Sequence, residues 1–489
     1  MDMIPERLSD NVDFIAIRSG LANLPRADNH APGQPVESDS VYIVPWHRNA
    51  LDPERTLVVG NRGMGKSFWA HALAQDEIRE TAAQKFQQPE LLRTLVEIGF
   101  NASEQTGMVA PALDTVRQVV RDGHDPESVW RAVLARAVSK FVEQKIPSSF
   151  AELVTWIDAD AERYGRLVTA ADAALANSGR KLLVVFDALD RLGNDWSTTR
   201  ELTRALLRRA LAVRSFRAIR LKLFMRLDQF SDQALFDFPD ASKIRNTRVD
   251  LDWMTADLYG LLFDRLRRSD LAGEAFSELL KRLSATSVGG VSPEVDQKRI
   301  IDAIAGEFMG ASKKRGFVST WLPSHLADAR GQTSPRTFLT AWREAARHGS
   351  PLTERAIDHL GLLEGVRKAS EDRLTELGED SPWVRTVLEP LRGQVVPMEQ
   401  SLLEMLWRDR GTAQSLITQS AMTGGLAPVQ LADSGAHPES ALVHALQTIG
   451  VLEIRPNSKI NVPDIFRVEA GIKRKGGVKP PRRTKPAEA

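Results

Sequence analysis

The chain has 489 residues, of which 42% are apolar and 26% are charged, an ordinary globular composition that can bury sizeable cores. At roughly 100 to 200 residues per domain, this length predicts about two to four domains. The 65 Lys and Arg residues nearly balance the 64 Asp and Glu residues, so a strong overall attraction to polyanions is excluded and any nucleic-acid surface must be local. Cysteine is absent, which excludes disulfides, thiolate metal sites and a cysteine nucleophile.

The first residues and the hydropathy pattern indicate neither secretion nor membrane insertion. The start, from Met1 to Arg7, lacks the basic beginning and the apolar core of a signal peptide. The most hydrophobic run, from Leu182 to Phe186, is far shorter than the roughly 18 residues that a membrane helix needs. We therefore expect a cytoplasmic protein without membrane contact.

Residues 1–40 are predicted to form a loosely ordered lead-in, because residues 28–35 are rich in Pro, Asn, Asp and Gly. One short helix is expected near 11–23, and an edge strand over 41–44. The apolar and β-branched residues 56–59 then predict a strand that runs directly into a glycine-rich turn.

Strands and helices alternate over residues 41–250, which predicts an α/β core with a parallel sheet. The apolar run from Lys181 to Phe186, with an acid directly after it, is typical of a central parallel strand. The other elements of this core are predicted as a helix over 68–88, a strand over 94–100, a helical insertion over about 101–179, a helix over 198–214 and a strand over 220–226.

Three further regions follow the predicted core. Residues 251–397 have an almost wholly helical pattern and predict a lid-like helical domain. Residues 398–472 show three helix-like stretches and then two short strands around a turn at 456–458, which favours a winged helix-turn-helix. Residues 473–489 carry seven basic residues among Gly and Pro, and predict a basic disordered tail.

The turn after residues 56–59 satisfies the pattern G-x-x-x-x-G-K-[ST] between a strand and a helix. Its glycines let backbone amides turn inward around phosphate oxygens, and the next helix directs its positive N-terminus toward them. Lys66 is predicted to reach the β and γ phosphates, and Ser67 to hold magnesium. A glycine-rich turn that binds nothing is the alternative. The eight residues of the pattern are Gly60, Asn61, Arg62, Gly63, Met64, Gly65, Lys66 and Ser67.

An acid at the end of a neighbouring apolar strand is the second requirement, because magnesium needs a carboxylate near Ser67. Asp187 meets this requirement, although a carboxylate that caps the next turn is an alternative. Asp190 lies three residues further on and is predicted to orient or deprotonate the attacking water. Its alternatives are a turn residue and a partner for Arg191.

The segment from Leu183 to Asp190 reads as four apolar residues, Asp, two residues and a second acid. Together with the glycine-rich pattern, it resembles P-loop ATPases of the AAA+ and STAND kind, the latter including NACHT-type signalling ATPases. The resemblance implies an α/β fold, a P-loop NTPase parallel sheet followed by a helical domain and a winged-helix domain, with ATP and Mg²⁺ as cofactors and ATP hydrolysis as the activity. The chain departs from the pattern at Arg191, where many NACHT proteins have another acid, and at Ala188, where AAA+ proteins usually have Glu.

Two arginines take roles from the same resemblance. Arg226 ends the strand over 220–226, where such ATPases commonly keep a sensor of the γ-phosphate. The alternative is a surface arginine paired with Asp228. Arg336 opens a helix after Ser334 and Pro335 and resembles the second sensor of AAA+ proteins, although Pro at a helix start is also good capping chemistry.

Two other groups of residues are candidates for the same chemistry. Arg200, Arg204 and Arg208 recur every four residues, and the row is either the site of an arginine finger acting on a neighbouring subunit or a solvated helix face. Residues 45–48 precede the P-loop strand, and either contact the base or ribose or form a packed loop.

The predicted winged helix has two open uses. Its helix over 439–448 could enter a DNA major groove with the basic tail on the phosphates, or the domain could pack so that it holds the ATPase closed, as in STAND proteins. That helix contains no Lys or Arg, so its base contacts would be sparse. We interpret the chain as an ATP-binding and ATP-hydrolysing switch in a signalling, defence or DNA-maintenance assembly, with DNA, a protein partner or a second copy of the chain as partners. The alternatives are a non-hydrolysing nucleotide-dependent scaffold and a DNA-binding initiator-like or transposition-type ATPase.

Overall fold

The structure is a computed structural model that describes residues 12–25, 41–193, 195–285, 294–423, 427–432, 434–435 and 437–475. Most of the predicted lead-in, at 1–11 and 26–40, and residues 476–489 of the tail predicted over 473–489 lie outside the described residues, whereas the first two residues of that tail, Lys473–Arg474, form a strand. The chain folds into two compact units, an α/β unit of residues 28–252 and a second unit of residues 1–27 with 253–489. Within the described ranges, no helix has both the length and the apolar character to cross a bilayer.

The strands are β1 (Leu57–Gly60), β2 (Thr94–Phe100), β3 (Lys181–Phe186), β4 (Ile219–Arg226), β5 (Val249–Asp250), β6 (Val395–Val396), β7 (Met398–Glu399), β8 (Glu453–Ile454), β9 (Lys459–Asn461) and β10 (Lys473–Arg474). The α-helices up to the end of the α/β unit are α1 (Phe14–Ala22), α2 (Arg48–Leu51), α3 (Lys66–Ala74), α4 (Asp76–Lys85), α5 (Leu113–Arg121), α6 (Pro126–Ser139), α7 (Phe150–Asp158), α8 (Ala161–Asn177), α9 (Trp196–Val213), α10 (Leu227–Ser231) and α11 (Ser242–Arg245). The later helices are α12 (Thr255–Arg267), α13 (Gly273–Arg282), α14 (Glu294–Ala305), α15 (Val318–Leu326), α16 (Pro335–Arg347), α17 (His359–Asp380), α18 (Trp383–Leu388), α19 (Gln400–Asp409), α20 (Thr412–Thr423), α21 (Val429–Ala432), α22 (Pro438–Thr448) and α23 (Asp464–Arg467).

The α/β unit is built on one parallel sheet with the strand order β2-β3-β4-β1-β5. The predicted α/β parallel-sheet fold of a P-loop NTPase is therefore confirmed. The strand β4 lies between β1 and β3, and its last residue, Arg226, pairs in register with Gly60 at the end of β1. Because the carboxyl ends of parallel strands meet at one edge of a sheet, the residues that follow β1, β3 and β4 lie together there.

The helices α5 to α8 occupy the predicted helical insertion and pack over one face of this sheet. Trp130 of α6 is 1% exposed and lies edge-on to Phe100 and Phe186, with ring centroids 6.1 and 5.6 Å away. Its Nε1 donates a hydrogen bond of 2.8 Å to the carbonyl oxygen of Leu202 in α9. Burial of this large ring joins the helices to β2 and β3, the strands that end beside the candidate site.

Two local predictions for the α/β unit are wrong. No strand forms over 41–44, which has no sheet pairing, and β5 occupies the edge beside β1 instead. The helix predicted over 68–88 is interrupted at Gln75, whose backbone is extended. The break is stabilised by Arg79, which donates to the carbonyl oxygen of Leu73 at 2.9 Å and pairs with Asp76. The guanidinium thus satisfies a carbonyl that the end of α3 leaves free.

The second unit combines α1 with the helices from α12 onward. Arg18 of α1 is 8% exposed and donates to the carbonyl oxygens of His348 and Gly349 at 2.6 and 2.8 Å. These carbonyls follow the end of α16, so the short N-terminal helix is fixed to residues more than 300 positions away in the chain. The helix predicted near 11–23 is therefore present, as a packed element of this unit.

The last part of the second unit contains a small antiparallel sheet in which β9 lies between β7 and β8. A separate parallel pair joins β10 to β6. The short helix α23 packs on α17, and the nearby backbone N–H of Glu469 donates to Ser370 Oγ at 3.0 Å. The arrangement is consistent with the predicted hairpin, while the finer division of the chain at 397 and 472 stays a prediction.

Candidate functional site

The glycine-rich loop joins β1 directly to α3. Gly63 and Gly65 have φ values of 80° and 101°, in the left-handed region that glycine adopts without strain. Met64 lies between them and is 2% exposed, so it anchors the loop in the core. The loop therefore turns back on itself and leads into the first turn of α3, whose N–H groups have no helical partners.

Lys66 lies across this loop. Its Nζ donates to the carbonyl oxygens of Gly60 and Asn61 at 2.8 and 2.9 Å, and the side chain is half-buried. The ammonium is thus held within the ring of the loop, where the pattern predicts that it meets phosphate oxygens.

Several charged side chains lie near the Lys66 ammonium. Burial lowers the pKa of Lys66 to about 8. Charged residues at the ends of β3 and β4 modify this shift: the carboxylate of Asp187 raises the pKa, the guanidinium of Arg226 lowers it, and the carboxylates of Asp190 and Asp228 raise it. The structure therefore brings Asp187, Asp190 and Arg226 within electrostatic reach of Lys66.

Asp187 follows β3 and is 4% exposed. Its backbone N–H donates to the carbonyl oxygen of Phe100 at 2.9 Å, which fixes the residue against the end of β2. In the part of the chain that the structure describes, no donor is hydrogen-bonded to its carboxylate. A buried carboxylate without a protein partner is costly, so a cation is a suitable partner for it.

The donor set near the loop fits magnesium. Ser67 offers an exposed hydroxyl at the start of α3, and Asp187 offers carboxylate oxygens, the hard oxygen ligands that Mg²⁺ prefers. The described residues contain no cluster of three or more His, Cys, Asp or Glu side chains that could hold a metal ion by themselves. A magnesium ion here would therefore take most of its ligands from phosphate and water.

Asp190 and Arg226 lie close together although 36 positions separate them in the chain. Ala188 adopts a left-handed φ of 56°, which turns the chain after β3 into the short 3₁₀ helix that carries Asp190. Arg226 Nη1 lies 3.5 Å from Asp190 Oδ2, and Arg226 Nη2 lies 2.8 Å from Asp228 Oδ2. The Arg226 side chain is only 15% exposed, so it pairs with Asp228 without being a surface arginine.

Arg336 belongs to the second unit. Pro335 occupies the first turn of α16, as the sequence predicts, and Ser334 Oγ caps this helix start by accepting a hydrogen bond of 3.1 Å from the N–H of Thr337. Arg336 Nη1 donates to Glu376 Oε1 at 2.9 Å. Its role as a second sensor stays a prediction.

The arginine row on α9 forms ion pairs within the α/β unit. Arg200 pairs with Asp232 at 2.8 Å, and Arg208 pairs with Glu127 at 3.3 Å. Arg204 donates to the backbone carbonyl oxygen of Asp237. An arginine finger would have to exchange such a partner, and this role also stays a prediction.

In the segment at 45–48, His47 is packed in the interior, whereas Trp46 is exposed. His47 is 1% exposed; its Nδ1 accepts a hydrogen bond of 2.9 Å from Trp69 Nε1, and its Nε2 lies 3.1 Å from the carbonyl oxygen of Asp252. Because Nδ1 accepts, the proton of the neutral ring is on Nε2 and is donated to Asp252. Trp46 beside it is 58% exposed, and a contact of Trp46 with a base stays a prediction.

His47 should make stability depend on pH. Burial lowers its pKa to about 4, although the hydrogen bond to Asp252 opposes this shift. The unfolded chain then binds a proton near pH 6.5 and the folded chain only near 4, so stability is full above the unfolded value and is lost as the pH falls. We expect the free energy of unfolding to fall by about 2 kcal/mol between pH 7 and 5 because of this ring. Urea unfolding of wild type and His47→Gln at both pH values measures it; an equal pH dependence in the two proteins would contradict the assignment.

A parallel sheet with a glycine-rich loop between its strand β1 and the helix α3, and a buried acid after β3, define the fold of a P-loop NTPase. No protein-family model matches the chain, and no curated protein matches it. Solved structures that align with it include the Walker-type ATPase PABY2304 of Pyrococcus abyssi, at a TM-score of 0.39 and 13% identity over 90% of this chain and 98% of that one. The ORC2 protein of Aeropyrum pernix, solved in ADPNP–ADP complexes, aligns at 0.41 and 11% over 91% and 97%. The Aeropyrum pernix ORC1 protein in complex with DNA aligns at 0.31 and 11% over 92% and 95%. These TM-scores are low, so the P-loop assignment rests on the topology and on the site itself.

Proposed function

We propose that the chain binds ATP with Mg²⁺ in the loop from Gly60 to Ser67 and hydrolyses it. One observation carries this proposal: the loop, the Lys66 ammonium and three carboxylates lie together at one edge of the parallel sheet. The carboxylates are those of Asp187, Asp190 and Asp228. ATP is chosen over GTP from the family resemblance, since no guanine-reading signature is evident in the sequence.

The loop residues have different roles in binding the nucleotide. The amides of the loop and of the first turn of α3 donate to phosphate oxygens, and Lys66 exchanges the carbonyls of Gly60 and Asn61 for the β and γ phosphates. Ser67 and Asp187 hold the metal ion. Bound magnesium supplies positive charge that neutralises the phosphate oxygens.

Hydrolysis requires an activated water beside the γ-phosphate. The water oxygen forms a new bond to the γ-phosphorus, and the bond from that phosphorus to the β,γ-bridging oxygen breaks, so ADP and inorganic phosphate leave. Asp190 accepts the proton of the water and passes it on to phosphate or solvent. Arg226, beside both Gly60 and Asp190, stabilises charge on the transferred group.

Turnover of an Asp190→Asn variant distinguishes an enzyme from a nucleotide-dependent scaffold. We expect phosphate release to fall by about 100-fold or more, because the general base is lost. Binding of ATPγS should change by less than about threefold, since Asp190 is not part of the phosphate cradle. Asp114→Asn is the matched control, because that carboxylate is 78% exposed and lies in α5.

The scaffold alternative predicts a different result for the same pair of proteins. Wild type would then bind ATPγS but release no phosphate, and Asp190→Asn would change nothing measurable. The assay should be run with and without duplex DNA, on the full chain and on a chain ending at Lys475, which keeps β10 paired with β6. Molar mass measured in each nucleotide state tests self-association.

The segment after β6 is proposed to be a winged helix that acts by packing. Its candidate recognition helix α22 exposes Ser440 and His444 and carries no cation. Ser440 donates to Glu404 in α19, at 2.8 Å. The loop after α22 is bound to the helical part of its unit, since the N–H of Ala329 donates to Gly450 O at 2.8 Å. These contacts favour a structural role over DNA reading, which would place cations on that helix.

A further inference from the structure

The guanidinium of Arg226 contacts two carboxylates, one closely and one at a longer distance. Its Nε and Nη2 donate to Asp228 Oδ1 and Oδ2 at 3.0 and 2.8 Å, a two-point contact. Its Nη1 makes a longer contact of 3.5 Å with Asp190 Oδ2. The Asp228 and Asp190 side chains are 19% and 27% exposed, so both contacts are partly shielded from water.

The backbone that carries this pair is fixed from two sides. Arg226 lies beside Gly60 in the sheet register, and its N–H donates to Gln229 Oε1 at 3.4 Å. Gln229 is 2% exposed. Asp228 lies in the first turn of α10, only two residues from Arg226, so the orientation of the guanidinium is set locally at the end of β4.

We propose that Asp228 is a positioning residue for ATP hydrolysis: it holds Arg226 through Nε and Nη2, so that Nη1 is directed toward Asp190 and is shared between Asp190 and the γ-phosphate. This inference rests on the proposed function. When a γ-phosphate oxygen accepts from Nη1, Asp190 loses a cationic partner and its carboxylate becomes available to the attacking water. Binding of the triphosphate thereby frees Asp190 to act as the general base.

Removal of the Asp228 carboxylate should change how Arg226 pairs with Asp190. Without the two-point contact, the guanidinium can turn and pair with Asp190 through two nitrogens, and it then competes with water for the same oxygens. The loss should appear in the chemical step and not in the affinity for ADP, which has no γ-phosphate.

The experiment compares Asp228→Ala and Asp228→Glu with wild type in the full chain, with Asp114→Ala as the exposed-carboxylate control. Steady-state kinetics give kcat and KM for ATP, and titration calorimetry gives Kd for ADP. We expect Asp228→Ala to lower kcat by about 10-fold or more while KM and the ADP Kd stay within about threefold. Asp228→Glu, which restores a carboxylate, should recover part of the lost kcat.

The outcomes separate this inference from the proposed function. A chain that binds ATP in a Lys66-dependent way, and whose Asp228→Ala variant keeps the wild-type kcat, would overturn only the positioning role. An equal loss of kcat and of ADP affinity, or no recovery in Asp228→Glu, would also overturn it, because a merely structural role would explain both. A wild-type chain that binds no nucleotide would remove the proposed function and this inference together.

Discussion

Replacing Lys66 with alanine is expected to lower both the affinity for ATP and the turnover by about 100-fold or more. The substitution removes the ammonium that lies in the loop, 2.8 Å from Gly60 O, and with it the charge-assisted hydrogen bonds that we propose it makes to the β and γ phosphates. Each such bond contributes about 1.5 to 3 kcal/mol, so two of them correspond to a loss of about 100-fold or more in ATP affinity. Turnover at subsaturating ATP should fall at least as far, because the proposed role of the same group includes stabilising charge in the transition state. Calorimetric Kd values and phosphate release measure the two effects.

Lys85→Ala is the matched control, because Lys85 is exposed in the last turn of α4, on the helix next to α3. It should leave both quantities unchanged. A melting temperature measured for Lys66→Ala without nucleotide shows whether the loop still folds. Wild-type turnover in a folded Lys66→Ala protein would defeat the assignment of the loop as the phosphate site.

Trp130→Ala is expected to destabilise the α/β unit severely. The ring is 1% exposed and packs between Phe100 and Phe186, so its removal leaves a large cavity under the sheet. Such truncations cost about 3 to 5 kcal/mol. The carbonyl oxygen of Leu202 also loses its donor, at about 1 kcal/mol or more. Urea unfolding followed by circular dichroism measures the change in the free energy of unfolding.

The exposed Trp46 provides the comparison for this experiment. Trp46→Ala removes the same type of side chain from a position that is 58% exposed, and should change stability by less than about 0.5 kcal/mol. A loss below about 1 kcal/mol for Trp130→Ala would mean that α6 is not fixed to β2 and β3 as described.

The sequence by itself determined the loop and the two strands that define the site. Gly60 to Ser67 is a local pattern in which the two glycines at positions 60 and 65 set the backbone path, and Lys66 and Ser67 supply the chemistry. The apolar run before Asp187 and the run that ends at Arg226 are long enough to predict buried strands without knowledge of their neighbours. The fold class followed from these segments, because strands that alternate with helices favour a parallel sheet.

The tertiary structure alone decided which of these residues meet. Strand order depends on long-range pairing, so the sequence did not indicate that β4 lies between β1 and β3 and brings Arg226 beside Gly60. The contact of Arg226 with Asp190 across 36 positions follows from that order. The sequence named Asp228 as a pairing partner of a surface arginine, and only the structure shows that Arg226 is 15% exposed and contacts Asp190 as well as Asp228.

Local propensity also failed where a distant contact or a side-chain cap decided the backbone. The helix over 68–88 is continuous in pattern, yet it breaks at Gln75, where Arg79 satisfies a carbonyl that the pattern does not reveal. His47 reads as a polar loop residue, and becomes a buried neutral ring only because Trp69 and Asp252 supply its hydrogen bonds. Residue types and short-range spacing determine which chemistry is available, whereas burial and pairing between distant segments determine which groups perform it.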